Sequence, residues 1–278
     1  DGTSVAVAAD LHPSGSSRPA ALTVADGILY FTADDGQSGR RLWSFNGAVA
    51  NLVDSNQFVA NPEELIAFND LLYFLGVRFG DVGIELFSYD GNAISIIDIL
   101  PGTGSSTPQH LTEYAGVLYF NAAGAPGQGT ELWRYNGLAS SKAGPEIRAG
   151  SGSSPAWLAV HDGDLYFSAN NGVSGNELWH FDGVTSLPVA DIDPGGEFDS
   201  SHPAWMTSYA GALYFSANDG EGEGNELWRY DGFTVEMVAN LNPNPPGPGG
   251  DEFLADSNPA YLTVHDGKLF FFADDGVH

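Results

Sequence analysis

An all-β fold of six repeated four-stranded units is what this sequence predicts, and three observations carry the prediction. First, one phrase recurs: Ser216 to Gly232 reads S-A-N-D-G-E-G-E-G-N-E-L-W-R-Y-D-G, related copies stand at Thr32 to Gly47, Leu75 to Gly91, Asn121 to Gly137 and Ser168 to Gly183, and a sixth begins at Phe272. Second, the prolines Pro19, Pro62, Pro108, Pro155, Pro203 and Pro259 open successive units at intervals of 43, 46, 47, 48 and 56 residues. Third, apolar residues alternate between Gly, Asp and Asn turns, and helical periodicity is absent, which reads as short antiparallel strands joined by tight hairpins. Units of this size cannot bury a core alone; repeated radially they are the blades of a β-propeller. The expectation is therefore one six-bladed β-propeller domain over residues 1–278.

The elements follow in order. Asp1 to Leu11 matches the end of a unit, Asp231 to Leu241, so residues 1–18 are expected to complete the last blade and latch the ring, protecting its edges. Each unit then reads P-A-x-L-T-V, a D-G or A-G turn, L-Y-F-S-A, a glycine loop, E-L-W-R-Y, a second D-G turn and a Val/Ile-rich run. In the unit from Pro203 the four strands are expected at about Trp205 to Tyr209, Ala212 to Ala217, Glu226 to Tyr230 and Thr234 to Leu241. The first two units depart most: Arg41 replaces the Glu of E-L-W, Phe87 replaces its Trp, and Val77 to Asp81 replaces the N-D-G loop. Asn242 to Asp256 is the longest insertion, rich in Pro and Gly, with Asp251, Glu252 and Asp256 near its end. Between His278 and Asp1 the pattern calls for a strand the sequence lacks, so either the last blade is incomplete or the chain is a piece of a longer one. A free edge there could recruit another protein chain.

Composition narrows the function classes. With 36 Asp and Glu against 9 Lys and Arg the formal charge is −27, a surface that repels phosphate backbones and anionic lipids, so nucleic acid is not an expected partner. No apolar run of helix-spanning length exists, and no membrane insertion is expected. Cysteine is absent, which removes disulfides and thiolate chemistry.

The D-G-x-x-G-x-E-L-W-x-x-D-G core, preceded by L-Y-F-x-A and followed by D-I-x-P-G and S-S-P, resembles the E-L-W-x-x-D-G-T (hyalin-like) repeats of bacterial secreted and cell-surface proteins. The resemblance covers nearly the whole chain. It implies a propeller displayed or secreted outside a bacterial cell, extracellular or on the cell surface, and it is tied to no single activity.

Alternating strand direction places the second-to-third strand loops and the connections between units on one face. Two candidate sites share it. The position two residues after each proline holds Ala21, Glu64, His110, Trp157, Trp205 and Tyr261, an unequal occupancy that a purely structural role does not require. Aromatic rings at the mouth of a central channel can stack on the apolar face of a sugar, which makes Trp157, Trp205, Tyr261 and His110 the candidate ligand-binding residues and a glycan the expected ligand class. The second candidate is Asp191-Ile192-Asp193-Pro194-Gly195-Gly196-Glu197-Phe198-Asp199, which spaces carboxylates at every second residue as calcium loops do. Calcium on Asp191, Asp193, Glu197 and Asp199 is the metal expectation; no organic cofactor is expected.

The third-strand aromatics, Trp43, Phe87, Trp133, Trp179 and Trp228, recur as blade packing demands and are expected in the core. The neighbouring Glu85, Glu131, Glu177 and Glu226 are expected to accept backbone N–H bonds within their glycine loops. The seven histidines are scattered, and no H-E-x-x-H, G-x-S-x-G or phosphate loop is present. The leading expectation is a non-catalytic, lectin-like binding or adhesion module. A carbohydrate-active glycosidase or lyase using top-face carboxylates, and a purely structural surface domain, are the alternatives.

Overall fold

The computed structural model describes residues 6–54, 59–78, 83–243 and 256–277. All regular structure among these residues is β. The first unit contains β1 (Ala20–Ala25), β2 (Ile28–Asp34), β3 (Arg40–Phe45) and β4 (Ala50–Leu52), and the second β5 (Ala60–Phe68), β6 (Leu71–Val77), β7 (Ile84–Tyr89) and β8 (Ile94–Ile97). The third holds β9 (Gln109–Tyr114), β10 (Val117–Ala123), β11 (Thr130–Tyr135) and β12 (Ser140–Lys142), and the fourth β13 (Ala156–His161), β14 (Asp164–Asn170), β15 (Asn176–Phe181) and β16 (Ser186–Ala190). In the fifth, β17 (Ala204–Tyr209), β18 (Ala212–Ala217), β19 (Glu226–Tyr230) and β20 (Val235–Ala239) lie within a few residues of the expected strands. β21 (Ala260–His265) and β22 (Lys268–Phe272) form the sixth. Among the described residues these make five four-stranded antiparallel sheets in simple sequence order and one two-stranded sheet.

The first two strands of every unit meet in a two-residue turn. Its residues, such as Asp162 and Gly163 or Ala210 and Gly211, have positive φ, which matches the right-handed twist of the flanking strands. The residue before each anchoring proline also lies at positive φ, from 43° at Thr107 to 49° at Ser154, where the chain turns from linker into strand.

Packing repeats as strictly as the sequence. The second strand alternates, turning Leu165, Phe167 and Ala169 towards the preceding unit and Tyr166 towards the following one. Each interface therefore joins the Tyr and third-strand Leu of one unit to the Leu-Phe-Ala row of the next. Tyr30 and Leu42 meet Leu72 and Phe74, and Tyr73 and Leu86 meet Leu118 and Phe120. Phe87, Trp179 and Trp228 are buried in these interfaces, while Trp43 and Trp133 are half-buried. Each fully buried Phe or Leu in these four interfaces contributes about 1.5–3 kcal/mol.

First strands of consecutive units lie side by side, β1 by β5, β5 by β9, β9 by β13, β13 by β17 and β17 by β21. Threonine hydroxyls tie them together: Thr23, Thr112 and Thr207 donate to the carbonyls of Leu65, Leu158 and Leu262 at 2.8, 3.3 and 3.0 Å.

The two ends differ from expectation. Residues 6–18 form no strand and pair with no strand of the sixth unit; they lie on the first unit, where the Ser17 carbonyl accepts from the Asp34 amide at 2.9 Å. Ala8, Ala9 and Leu11 border a cavity together with Leu22, Leu29, Phe31 and Phe45. The His12 ring lies against Gly36, where an added Cβ would come within 2.6 Å of it. Residues 1–5, the start of the expected closing strand, fall outside the described residues. On the sixth unit Phe270 and Phe272 are 52% and 74% exposed.

The third-strand glutamates also act elsewhere than expected. Glu177 accepts from the Ile192 and Ser201 amides at 2.8 and 2.9 Å and from the Ser201 hydroxyl at 2.5 Å. Glu85 does the same with Ile99 and Ser106, at 3.0 and 2.8 Å for the amides and 2.5 Å for the hydroxyl. Ser153 and Ser257 donate to Glu131 and Glu226 at 2.8 and 2.7 Å. These carboxylates thus clamp the linker to the following unit, not the glycine loop beside them. The side chain of a central strand points across the sheet, where the linker passes.

Candidate functional site

The first strand of every unit carries a bulge. Register passes from Ala156↔Ser168 to Ala159↔Tyr166 in the fourth unit and from Ala204↔Ser216 to Thr207↔Tyr214 in the fifth, so two residues oppose one. The first bulged residue is the one two after the proline, and its φ is positive in all six units: Ala21 50°, Glu64 48°, His110 60°, Trp157 58°, Trp205 56° and Tyr261 57°. None is glycine. A left-handed backbone costs an L-residue roughly 1–2 kcal/mol, and for a bulky side chain it is a strained conformation that the surrounding sheet must enforce.

That backbone brings Glu64, His110, Trp157 and Trp205 to one mouth, with Tyr261 against Trp205. Their rings step from unit to unit: His110 to Trp157 at 5.4 Å between centroids, Trp157 to Trp205 at 4.4 Å, and Trp205 to Tyr261 at 4.4 Å, with interplanar angles of 42°, 41° and 40°. The near-constant tilt makes a fan of overlapping rings. Beside it lies a cavity of about 310 Å³ lined by Glu64, His110, Thr112, Trp157, Trp205 and Thr207 on a floor of Leu65, Leu111, Leu158, Met206 and Leu262. Trp157, Trp205, His110 and Glu64 are half-buried, and Tyr261 is 62% exposed at the end of the fan.

Glu64 is the site residue that sequence reasoning passed over. It occupies the same recurrent position as the aromatics, which was the available signal, and only the preference for rings left it out. Its Oε2 accepts from the Leu111 amide of the next unit at 3.2 Å. Burial pushes its carboxyl above the ordinary glutamate range, against the opposing pull of the Leu111 and His110 amides. Burial likewise holds the His110 imidazole below its usual value, which favours the neutral ring at pH 7.

Two acids of the expected calcium loop reach other parts of the chain. Glu197 reaches back to Arg148, Oε1 to Nη2 at 2.5 Å. Asp193 points forward onto the next unit, where a Cβ at Gly220 would meet its Oδ1 at 2.5 Å. Burial raises the Asp193 carboxyl, helped by the charges of Asp199, Asp219 and Asp191. Among the described residues no three His, Cys, Asp or Glu side chains converge as metal ligands. The acids Asp251 and Glu252 lie outside the described residues. Two further histidines serve local contacts away from the mouth: His161 bonds Ser208 at 2.9 Å, and His180 meets Asp164 at 2.8 Å while stacking on Tyr166.

No protein-family model and no curated protein matches the chain. Solved structures do. A puromycin-hydrolyzing peptidase from Mycobacterium tuberculosis superposes with a TM-score of 0.55 at 14% identity, covering 91% of this chain and 41% of that one. A prolyl endopeptidase gives 0.57 at 10% identity, over 93% and 40% of the respective chains. The β-propeller domain of the Trilobed protease from Pyrococcus furiosus, described as having an open velcro topology, gives 0.51 at 10% identity over 81% and 68%. The chain spans about two fifths of the length of the two longer peptidases. At these identities the likeness is one of fold, that of a β-propeller.

Proposed function

We propose that the chain is a non-catalytic binding module working outside a bacterial cell, and that its ligand is a carbohydrate held against the fan of His110, Trp157, Trp205 and Tyr261. The observation that supports this most is the six-fold recurrence of a strained bulge whose side chain changes from unit to unit. A protein that needed only inter-unit packing would have no use for that strain, since glycine would relieve it. Tilted indoles beside a small cavity with flanking hydroxyls suit a pyranose, whose C–H face stacks and whose hydroxyls are accepted at the edge. A glycosidase reading is less well supported: hydrolysis uses two facing carboxylates, and among the described residues Glu64 is the one carboxylate lining the cavity. The E-L-W-x-x-D-G resemblance is the reason for placing the module outside the cell.

The finer architecture we propose is a six-bladed ring. In units two to five the Leu-Phe face meets a preceding neighbour, so the Leu29–Phe31 face of the first unit and the Phe270–Phe272 face of the sixth are complementary by the same rule. Residues 1–18 would then sit at that join.

A glycan-array screen of the purified chain, run with calcium and with a chelator, tests the function. Binding is expected, and Trp205→Ala and Trp157→Ala are each expected to weaken it at least about tenfold while leaving thermal unfolding within a few degrees. Loss on chelation would show that binding needs calcium, and substitution of Asp191, Asp193, Glu197 and Asp199 would then test them as its ligands. Turnover of a polysaccharide, or silence across the array, would overturn the binding-module reading.

A further inference from the structure

We infer that the ligand of this mouth carries an ammonium group, as an amino sugar does, with Glu64 as its counter-charge; the inference rests on the carbohydrate reading and sharpens it. Three of the six mouth positions are large π systems, Trp157, Trp205 and Tyr261, in unbroken contact. Aromatic faces carry negative electrostatic potential, and a cation within about 6 Å of a ring centroid is drawn to them. A carboxylate completes the set, because Glu64 lines the same cavity as Trp157 and Trp205. Among the described residues no Lys or Arg lines it. His110 stands between Glu64 and Trp157 in the ring order, and burial disfavours its charged form, so it does not supply the cation itself. A half-buried carboxylate that shares a cavity with aromatic rings and is held by the Leu111 amide has no counter-charge there among the described residues, and a ligand ammonium group offsets the cost of its burial. The cavity, about 310 Å³, admits a single sugar ring or an alkylammonium headgroup. The formal charge of −27 raises the local concentration of cations around the whole molecule, which favours encounter without specifying the site.

The test is a tryptophan-fluorescence titration of the full chain with glucosamine oligosaccharides, with their N-acetylated counterparts of equal length, and with tetramethylammonium. The free-amine oligosaccharides are expected to bind at least about tenfold more tightly than the acetylated ones. Glu64→Gln is expected to erase that preference while keeping an acceptor for the Leu111 amide, and an unchanged thermal midpoint will show that the variant is folded. Equal affinity for both oligosaccharides, or a preference that survives Glu64→Gln, overturns the ammonium inference and leaves the carbohydrate reading standing. Tetramethylammonium binding with neither oligosaccharide bound supports the cation site and overturns the carbohydrate reading. Binding of none of the three overturns both.

Discussion

Two rows of residues run through the repeats, and they are opposites. The third-strand row holds Glu85, Glu131, Glu177 and Glu226 in units two to five, every one buried and bonded to a serine of the linker ahead. The first-strand row holds six residues on one strained backbone geometry, and their side chains run from Ala21 to Trp205. In the first row the side chain repeats because the fold needs that side chain. In the second only the backbone repeats, and the side chain is left to answer to something else. The first unit sharpens the contrast. There Arg41 stands in the glutamate's place, yet the linker is still held, with Arg41 donating to the Val59 carbonyl at 2.8 Å and Asp54 accepting from the Val59 amide at 2.5 Å. Substituting the clamp requires a second residue to complete it; substituting the mouth residue requires nothing from its neighbours.

The largest expected effect comes from breaking the clamp. Glu177→Ala strands the Ile192 and Ser201 amides and the Ser201 hydroxyl in a site where Glu177 is 2% exposed. At about 1–3 kcal/mol for each buried group left unpaired, partly relieved by water, a loss of about 3–5 kcal/mol is expected, a large share of an ordinary domain's stability. The shift of the urea midpoint measures it. A loss below about 1 kcal/mol would erase the distinction between the two rows.

Much of this was legible in the chain. The strands of the fifth unit, the buried row of Phe87, Trp179 and Trp228, and the common position of Glu64, His110, Trp157, Trp205 and Tyr261 follow from period and spacing alone. The bulge was not read, because a left-handed residue is usually announced by glycine and here none is present. One trace of it existed: Trp157-Leu158 and Trp205-Met206 put two large apolar residues in succession, which breaks strict alternation. The partner of each glutamate was hidden for a different reason. Glu177 and Ser201 are 24 residues apart, and their meeting depends on where the linker crosses the sheet, which local pattern does not encode. The repeat pattern suggested a strand for the first residues, but the seat of His12 on Gly36 is a contact between segments that no repeat foretells.

Acid should affect the two kinds of carboxylate in opposite directions. Burial raises Glu85, Glu131, Glu177 and Glu226 above the ordinary glutamate value. For a group raised in the folded state, the stability it lends is fully present below its unfolded value and is lost as pH climbs through the folded one. Reducing the charge of −27 by protonation acts in the same sense. The thermal midpoint is therefore expected to rise by several degrees as pH falls from neutral to the ordinary glutamate range. Below that range it should fall again. Asp35, Asp90, Asp182 and Asp231 cap turns by accepting backbone amides, chiefly those of Ser38, Ala93, Thr185 and Thr234, which lowers them, and the stability they lend is lost as pH drops through the depressed values. A midpoint that declines steadily from neutral pH downwards would show that burial of the glutamate row is not felt as a cost.

The smallest effect tests whether the strain of the mouth row is real. Trp205→Gly and Trp205→Ala both remove the indole and its contacts with Trp157 and Tyr261, so the two variants share whatever packing is lost. They differ in backbone alone. At a φ of 56° glycine is unstrained and alanine is not, whereas in an ordinary strand glycine is the less stable of the two because it gives up more freedom on folding. The glycine variant is thus expected to be the more stable by about 1 kcal/mol, a reversal of the usual order, read as the difference between two denaturation midpoints. The same pair at Thr207, beyond the bulge on the same strand, should keep the usual order. If glycine is the weaker at both positions, the bulge is not strained in solution, and the mouth gives up no stability to present its side chains.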